Sequence, residues 1–338
     1  MPPCSRTSLP SLAPTALLIY STRLAKNLYT SSARFVFELL QNTDDNAYTT
    51  ATRVGQDPFV RFSLYHDRLV VECNEDGFTE RNMTAICDIG NSSKSAFQGQ
   101  GYIGEKGIGF KSVFMAAWKV HIQSGYLSFC FVHKKGDSGM GMVKPIWQDP
   151  TESLPQSNFT RITMFLHKTE DIKKMQKDRE DIRSQLRGLE PAFLLFVQRL
   201  RHISVAFYDE NGHQEWVTRL TKRGTTETNR VVLERRLAGT GALDDATPES
   251  HIYHVTEYMA TNVARHDNRE LNPSETRSPA SSKSKIVLAF PLSEQSVPII
   301  EPQKVFAFLP MKQMGFNVSL TVLNHDYRAA FLSLTGIS

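Results

Sequence analysis

The sequence GYIGEKGIGFKS, residues 101–112, decides how the rest of the chain is interpreted. It holds four glycines within nine residues, Gly101 to Gly109. Because glycine has no Cβ, the backbone N–H groups of such a segment can closely approach a ligand. A run of these donors leading into a helix is typical of an anion or phosphate cradle. The spacing matches neither a Walker A loop nor a dinucleotide-binding fingerprint. We therefore predict a phosphate loop of another kind, with an ordinary flexible turn as the alternative.

The composition indicates a globular protein of about two domains. The chain has 338 residues, of which 40% are hydrophobic and 22% are charged. The formal net charge of +4 is spread without a long basic block, so charge gives no reason to expect nucleic acid. Every apolar run is too short to span a membrane, and we expect no membrane partner. The four cysteines are widely spaced, which favours reduced thiols in an intracellular protein, cytoplasmic or nuclear, over a zinc site.

The N-terminal segment has a composition of its own. Residues 1–37 contain no Asp or Glu but several Arg and Lys, which resembles a mitochondrial transit peptide. The alternative, which we favour, is a flexible N-terminus over residues 1–14 followed by a basic amphipathic helix. From about residue 15 the chain leads directly into the first motif.

Hydrophobic periodicity predicts the order of the helices and strands. Residues 33–47 predict a helix that places Glu38, Asn42 and Asp45 on one side. A strand hairpin is predicted within residues 60–73, and Thr79 begins a short helix. Further predicted elements are paired strands within 120–132, a strand at 161–166, a charged helix at 170–187, an apolar helix at 189–200, a strand at 203–208, strands within 225–263, and strands at 286–292 and 305–309. Polar loops are predicted at 91–100 and 267–285.

The predicted side of the first helix carries groups that suit phosphate chemistry. Carboxylate and amide oxygens such as those of Glu38 and Asn42 are ligands that Mg²⁺ accepts, together with waters and substrate phosphates. A carboxylate beside a phosphate can also orient and deprotonate a water. A solvated polar helix face is the alternative interpretation.

Four more features follow in order along the chain. Residues 74–78, Asn-Glu-Asp-Gly-Phe, leave a strand end, where an acid could accept a hydrogen bond from an exocyclic amine while the glycine lets a flat ring approach. An acidic β-turn would have a similar sequence. The polar loop, the glycine cradle and Thr160 on a later strand complete the series. Together with the first helix, these features offer in order a metal and water group, a base-reading acid, a mobile loop, a phosphate cradle and a hydroxyl.

The same segments resemble a known superfamily. The residues at 38–42 (ELLQN), 74–78 (NEDGF) and 103–110 (IGEKGIGF), with Thr160, are similar to the four motifs of the Bergerat ATP-binding superfamily, GHKL, which contains DNA gyrase, heat-shock chaperone ATPases, sensor histidine kinases and MutL. The residues of these motifs most resemble those of the sacsin and plant NO VEIN-like group, which is also abundant in fungi. The resemblance covers about residues 15–170, and a weaker similarity continues beyond them.

The resemblance implies a fold class and a domain arrangement. The fold class is α+β: a Bergerat-fold α/β sandwich, with a mixed, mainly antiparallel sheet covered by helices on one face, followed by a partial second α/β domain. The ATP-binding domain is expected at residues 15–200. A β-rich, middle-like second domain, expected to be incomplete, would occupy residues 201–338.

The resemblance also implies roles for individual residues. Glu38 would be the general base that activates water, Asn42 would hold Mg²⁺, and Asp45 would line the pocket. Glu75 would read the adenine amino group, with Asp76 as the alternative acid and Thr160 as the water-bridging partner. The remaining cofactor-binding residues would be Gly77, the lid residues Ser92, Ser93 and Lys94, and the phosphate-contacting segment with Gly104, Lys106, Gly107, Ile108, Gly109 and Phe110.

Two residues depart from the superfamily pattern. Glu75 stands where aspartate is usual, and Phe159 stands where a glycine usually precedes the threonine.

We expect ATP and Mg²⁺ as cofactors, ATP hydrolysis that drives a conformational or chaperone-like cycle, and protein clients or a homodimer as further partners. The alternative is a nucleotide-gated interaction module with little or no turnover. A histidine kinase is disfavoured because the first histidine, His66, lies inside the strand hairpin, and a DNA-dependent ATPase is disfavoured by the mild charge.

Overall fold

The structure is a computed structural model. It describes residues 35–87, 110–133, 144–150, 152–168, 170–225, 227–240, 242–260 and 284–300, and the backbone of 304–307, 309–313 and 319–322.

Within the described residues, helices are few and short. The α-helices are α1 (Phe35–Asp44), α2 (Thr49–Arg53), α3 (Glu80–Cys87) and α4 (Ile172–Arg187), and 3₁₀ helices lie at Phe110–Met115, Pro191–Leu195 and Leu243–Asp245. In α1 the apolar residues Phe35, Val36, Leu39 and Leu40 recur at helical spacing and are buried. The helix predicted after Thr79 and the charged helix predicted at 170–187 are confirmed in their described parts. The helix predicted at 33–47 is confirmed as α1, but it ends at Asp44, so the predicted site residue Asp45 lies beyond it.

The helix predicted at residues 189–200 is wrong. Only Pro191–Leu195 is helical, as a 3₁₀ helix, and the chain then continues irregularly to Leu200. The physical reason is a distant carboxylate: the backbone N–H groups of Gln198, Arg199 and Leu200 donate to the side chain of Asp44. These N–H groups therefore do not form the i to i−4 bonds that continue an α-helix.

Strands dominate the fold. They are β1 (Phe59–Leu64), β2 (Arg68–Cys73), β3 (Ala117–Ser124), β4 (Leu127–Val132), β5 (Ile146–Trp147), β6 (Thr160–Leu166), β7 (His202–Tyr208), β8 (Gln214–Gly224), β9 (Arg230–Ala238), β10 (Glu249–Ala260), β11 (Ser284–Leu292), β12 (Lys304–Ala307), β13 (Leu309–Gln313) and β14 (Ser319–Val322). The predicted hairpin β1–β2, the pair β3–β4 and the strand β7 are confirmed.

All of these strands belong to one sheet. The order is β13-β12-β14-β11-β10-β9-β8-β7-β1-β2-β6-β3-β4-β5. Neighbours pair antiparallel except β1 with β7 and β12 with β14, which are parallel. Because β7 pairs along the full length of β1, the sheet runs without a break from the first half of the chain into the second.

This architecture corrects the expected fold class. The chain forms a large, continuous mixed sheet with few helices, and not a helix-covered α/β sandwich followed by a separate partial α/β domain. The physical reason is that residues 202–260 form four long strands joined by short connections, so few helical residues are present to cover them. The domain boundary near residue 200 stays a prediction.

The core lies where the first strands meet the helices. In β1 the side chains of Val60, Phe62 and Leu64 are fully buried, and the residues of α1 belong to the same apolar cluster. Cys73 at the end of β2 is the register partner of Thr160, the first residue of β6. Thr160 is in turn the register partner of Ser124, the last residue of β3. The three strand ends therefore meet at one place, and the candidate site is built there.

Candidate functional site

The helix α1 carries the first predicted site residues. Glu38 and Asn42 stand four residues apart, and both are half-buried, so they lie on the same side of the helix. Asp45 follows the helix end and is buried, with an exposed fraction of 6%. Two oxygen-bearing side chains one turn apart suit a hard cation shared with phosphate and water.

The end of α1 is fixed by Asp44, which the sequence analysis did not single out. Its Oδ1 accepts hydrogen bonds from the N–H of Arg199 at 2.8 Å and of Leu200 at 3.0 Å, and its Oδ2 accepts from Gln198 N–H at 2.8 Å. Burial raises the pKa of Asp44 above its usual range, although these hydrogen bonds favour the charged form. Asp44 therefore ties α1 to the segment that leads into β7.

Arg199 strengthens the same connection from the other side. Its Nη1 donates to the carbonyl oxygens of Asp45 and Asn46, each at 2.7 Å. These carbonyls follow the last turn of α1, where backbone oxygens lack helical partners. The guanidinium thus caps the helix end while Asp44 binds the backbone of the arginine itself.

Asp76 serves as a capping residue in this structure. Its Oδ1 accepts from the N–H of Thr50 at 2.7 Å and its Oδ2 from that of Thr49 at 2.9 Å, at the start of α2. Partial burial opposes ionisation, but these backbone hydrogen bonds outweigh it and hold the pKa of Asp76 below its usual range. The backbone N–H of Asp76 also donates to Ala47 O at 2.9 Å. Both carboxylate oxygens are thus engaged by the start of α2.

Glu75 is buried, and its charge acts on the nearby side chains of Tyr48 and Cys73. Its exposed fraction is 4%. Burial raises the pKa of the Cys73 thiol well above its usual range, and the negative charge of Glu75 adds to the effect. Burial likewise raises the pKa of Tyr48, with contributions from Cys73 and Glu75. The hydroxyl of Tyr48 donates a hydrogen bond to Thr43 O at 2.9 Å. Tyr48 therefore connects the buried group of Glu75 and Cys73 to the end of α1.

The preceding residue, Asn74, anchors the loop to β1. Its side chain is fully buried; Oδ1 accepts from Phe59 N–H at 2.9 Å, and Nδ2 donates to Asp57 O at 3.0 Å. These bonds fix where the chain leaves β2. The position of Glu75 is set by a buried amide on one side and by the Asp76 cap on the other.

Gly77 and Thr160 meet through Ser124. Ser124 Oγ accepts from the N–H of Phe78 at 2.7 Å and shares a hydrogen bond of 2.6 Å with Thr160 Oγ1. Gly77 has φ of 92°, a conformation that favours glycine, and a Cβ built there would lie 3.5 Å from Ser124 Oγ. Ser124 therefore joins the Asn74–Phe78 loop to Thr160. Sequence reasoning missed Ser124, because a serine at a strand end before a glycine carries no distinctive signal.

The predicted lid and most of the glycine-rich segment lie outside the described residues. The predicted site residues concerned are Ser92, Ser93 and Lys94 of the lid, and Gly104, Lys106, Gly107, Ile108 and Gly109 of the glycine-rich segment. Phe110 is described and begins the 3₁₀ helix that follows. The ammonium of the next residue, Lys111, donates to Ile86 O on α3. The chain on either side of the segment, α3 before it and the 3₁₀ helix after it, is therefore held together.

Glu38 and Asn42 carry oxygens of the kind that Mg²⁺ accepts. Within the described ranges no group of three or more His, Cys, Asp or Glu side chains could hold a metal by itself. A site in which Mg²⁺ takes one or two protein oxygens plus phosphate oxygens does not require such a group. The buried acid Glu75, the left-handed Gly77 and the hydroxyls of Ser124 and Thr160 lie around one set of strand ends.

Among the helices of the described residues, none combines the length and the apolar character that crossing a bilayer requires.

Comparisons with known proteins found a similarity in sequence. No family model matches the chain. A stretch of 189 residues, 53% of the chain, is 33% identical to Protein NO VEIN of Arabidopsis thaliana. The match covers 7% of that protein's length. The chain is therefore related in sequence to a small part of Protein NO VEIN.

Proposed function

We propose that this chain is an ATP-binding module that hydrolyses ATP with Mg²⁺. The observation that carries the proposal is that three distant segments meet where the ends of β2, β3 and β6 come together. Asp76 N–H donates to Ala47 O, which follows α1, and Ser124 joins Phe78 to Thr160. Three of the motifs that resemble those of the GHKL superfamily lie in the described residues. Their segments thus meet in one place.

Glu75 and Thr160 would bind the base. A buried carboxylate can accept a hydrogen bond from the exocyclic amine of adenine, and burial strengthens such a bond because water does not compete. Gly77 lets the backbone approach a flat ring. Thr160, oriented by its 2.6 Å hydrogen bond to Ser124, would complete the polar edge of the pocket.

Glu38 and Asn42 would act at the phosphates. Glu38 would accept a proton from the attacking water, and the amide oxygen of Asn42 would bind the metal. When bound, Mg²⁺ supplies charge stabilisation on the phosphate oxygens. Backbone N–H groups of the glycine-rich segment around Gly104, Lys106, Gly107, Ile108 and Gly109, with Ser92, Ser93 and Lys94, would contact the phosphates in the way the resemblance implies.

A specific observation also favours a second function, nucleotide-gated protein interaction. Asp44 and Arg199 bind the end of α1 to residues 198–200, which lead directly into β7. A ligand that shifts the end of α1 would therefore act on the sheet of the second half of the chain. In this alternative ATP binding alone produces the output, and hydrolysis is slow or absent.

The experiment that separates the two functions measures binding and hydrolysis on the same variants. Glu38→Ala is expected to keep Mg²⁺-dependent ATP binding and to lower the hydrolysis rate at least 100-fold, because general bases contribute about 10²–10⁴-fold. The matched control is Glu180→Ala, which removes an exposed carboxylate from α4 and should change neither quantity. Equal hydrolysis by wild type and Glu38→Ala, with binding intact, would leave only the nucleotide-gated function.

A further inference from the structure

A polar cleft on β7, β8 and β9 lies outside the site described above. Its volume is about 710 Å³, which is within the range of small-molecule sites. Five of its lining side chains are Arg or Lys and three are Asp or Glu, so the lining carries a formal charge of +2 with histidine neutral. The sequence analysis did not find this site, because its charges are brought together by strand pairing and form no block along the chain.

Two of the arginines face each other across neighbouring strands. Arg219 on β8 and Arg236 on β9 are register partners in an antiparallel pair. Side chains at such positions stand about 5 Å apart at Cβ, and like charges placed there are destabilising. A third arginine of the lining, Arg223, is paired with Glu234 at 2.8 Å. The arrangement concentrates positive charge on one patch of the sheet, where an anion would relieve the repulsion.

One residue, Asp244, contacts both of the facing arginines. Arg219 Nη1 lies 3.3 Å from Asp244 Oδ1, and Arg236 Nη1 donates to the backbone oxygen of the same residue at 2.9 Å. The Asp244 side chain is 83% exposed and sits on the short 3₁₀ helix Leu243–Asp245. An exposed ion pair of this kind contributes little and is easily exchanged. Asp244 therefore occupies the place of an external anion without closing the cleft.

We propose that this cleft binds a small phosphorylated ligand through Arg219 and Arg236. A phosphate monoester carries about two negative charges at pH 7, which matches the charge of the lining. The guanidinium fork suits phosphate oxygens because it can donate two parallel hydrogen bonds. The site is separate from the ATP site and does not depend on the function proposed for it.

The test titrates inorganic phosphate against the full chain at low salt, followed by ³¹P NMR. The double variant Arg219→Gln/Arg236→Gln is expected to weaken phosphate binding at least tenfold. The matched control Lys173→Gln/Lys177→Gln removes the same charge from exposed positions on α4 and should bind like wild type. The double arginine variant should unfold at the same temperature as wild type or higher, because the facing charges repel.

A further variant makes the outcome decisive. Asp244→Asn is expected to strengthen phosphate binding about threefold or more, since it removes the competing carboxylate. Phosphate affinity that is equal in the arginine variant and the lysine control, or no saturable phosphate binding by wild type, overturns the proposal.

Discussion

The candidate ATP site and the β7–β9 region hold their charged side chains in opposite ways. In the site, Asp44 is 1% exposed and accepts three backbone N–H groups from a segment more than 150 residues away. In the β7–β9 region, Arg219 and Asp244 have exposed fractions of 42% and 83% and make one contact of 3.3 Å. Buried acids therefore connect distant parts of the chain, whereas the exposed pairs remain available to exchange with a ligand.

The largest expected effect on stability comes from removing the buried carboxylate of Asp44. Asp44→Ala leaves three N–H groups without their acceptor in a buried place, so it should lower the free energy of unfolding by about 4 kcal/mol. Asp244→Ala removes only an exposed partner and should cost about 0.5 kcal/mol or less. Urea denaturation of both variants measures the difference. Equal losses would show that Asp44 does not anchor α1 to residues 198–200.

The next effect concerns Ser124, which joins the Phe78 N–H to Thr160. Ser124→Ala leaves the Phe78 N–H and the Thr160 hydroxyl short of a partner and should cost about 1–3 kcal/mol. Ser204→Ala on β7 removes a half-buried hydroxyl and is expected to stay within about 0.5 kcal/mol of wild type. The same urea series tests both. A Ser124→Ala variant as stable as Ser204→Ala would contradict the assigned network.

Gly77 allows a smaller test of the loop. Gly77→Ala forces a side chain into a left-handed conformation with φ of 92° and should cost about 1–2 kcal/mol. Gly224→Ala at the end of β8, where nothing lies within 4 Å of an added Cβ, should have almost no effect. Thermal unfolding of the pair gives the comparison. If Gly77→Ala melted no lower than Gly224→Ala, the loop conformation described above would be wrong.

The smallest effect is the pH dependence that Asp76 contributes. Its pKa is lowered in the folded chain because two backbone N–H groups stabilise the carboxylate against partial burial. Its stabilisation is therefore complete above the unfolded pKa, about 3.9, and is lost as the pH falls through the folded value. Asp76→Asn should flatten the fall in stability below about pH 4. Denaturation curves at several pH values measure this slope, and an unchanged slope would refute the assignment.

Local patterns predicted the elements that local interactions determine. The hairpin β1–β2 follows from alternation, with Val60, Phe62 and Leu64 buried. The helix α4 follows from its charge pattern, and Asp171 caps it by accepting from Lys174 N–H. In each case the residues that set the structure are close together along the chain.

Long-range contacts set the parts that could not be predicted. The helix predicted at 189–200 fails because Asp44 takes the N–H groups it would need, and nothing near residue 198 indicates that. The continuous sheet depends on the parallel pairing of β1 with β7, in which Phe59 faces His202. In the site, the loop at 74–78 and Thr160 were chosen from their motifs and their roles stay predictions, whereas Ser124 became visible only when β3 and β6 were paired.

The most direct test of the account measures Mg²⁺-dependent ATP binding to wild type, Glu75→Ala and the control Glu180→Ala by isothermal titration calorimetry. The account predicts saturable binding of one ATP per chain to wild type and to Glu180→Ala. Glu75→Ala should bind at least tenfold more weakly, because the buried acid that would bind the adenine amino group is gone. No saturable binding by wild type, or equal affinity in Glu75→Ala, would contradict the central claim.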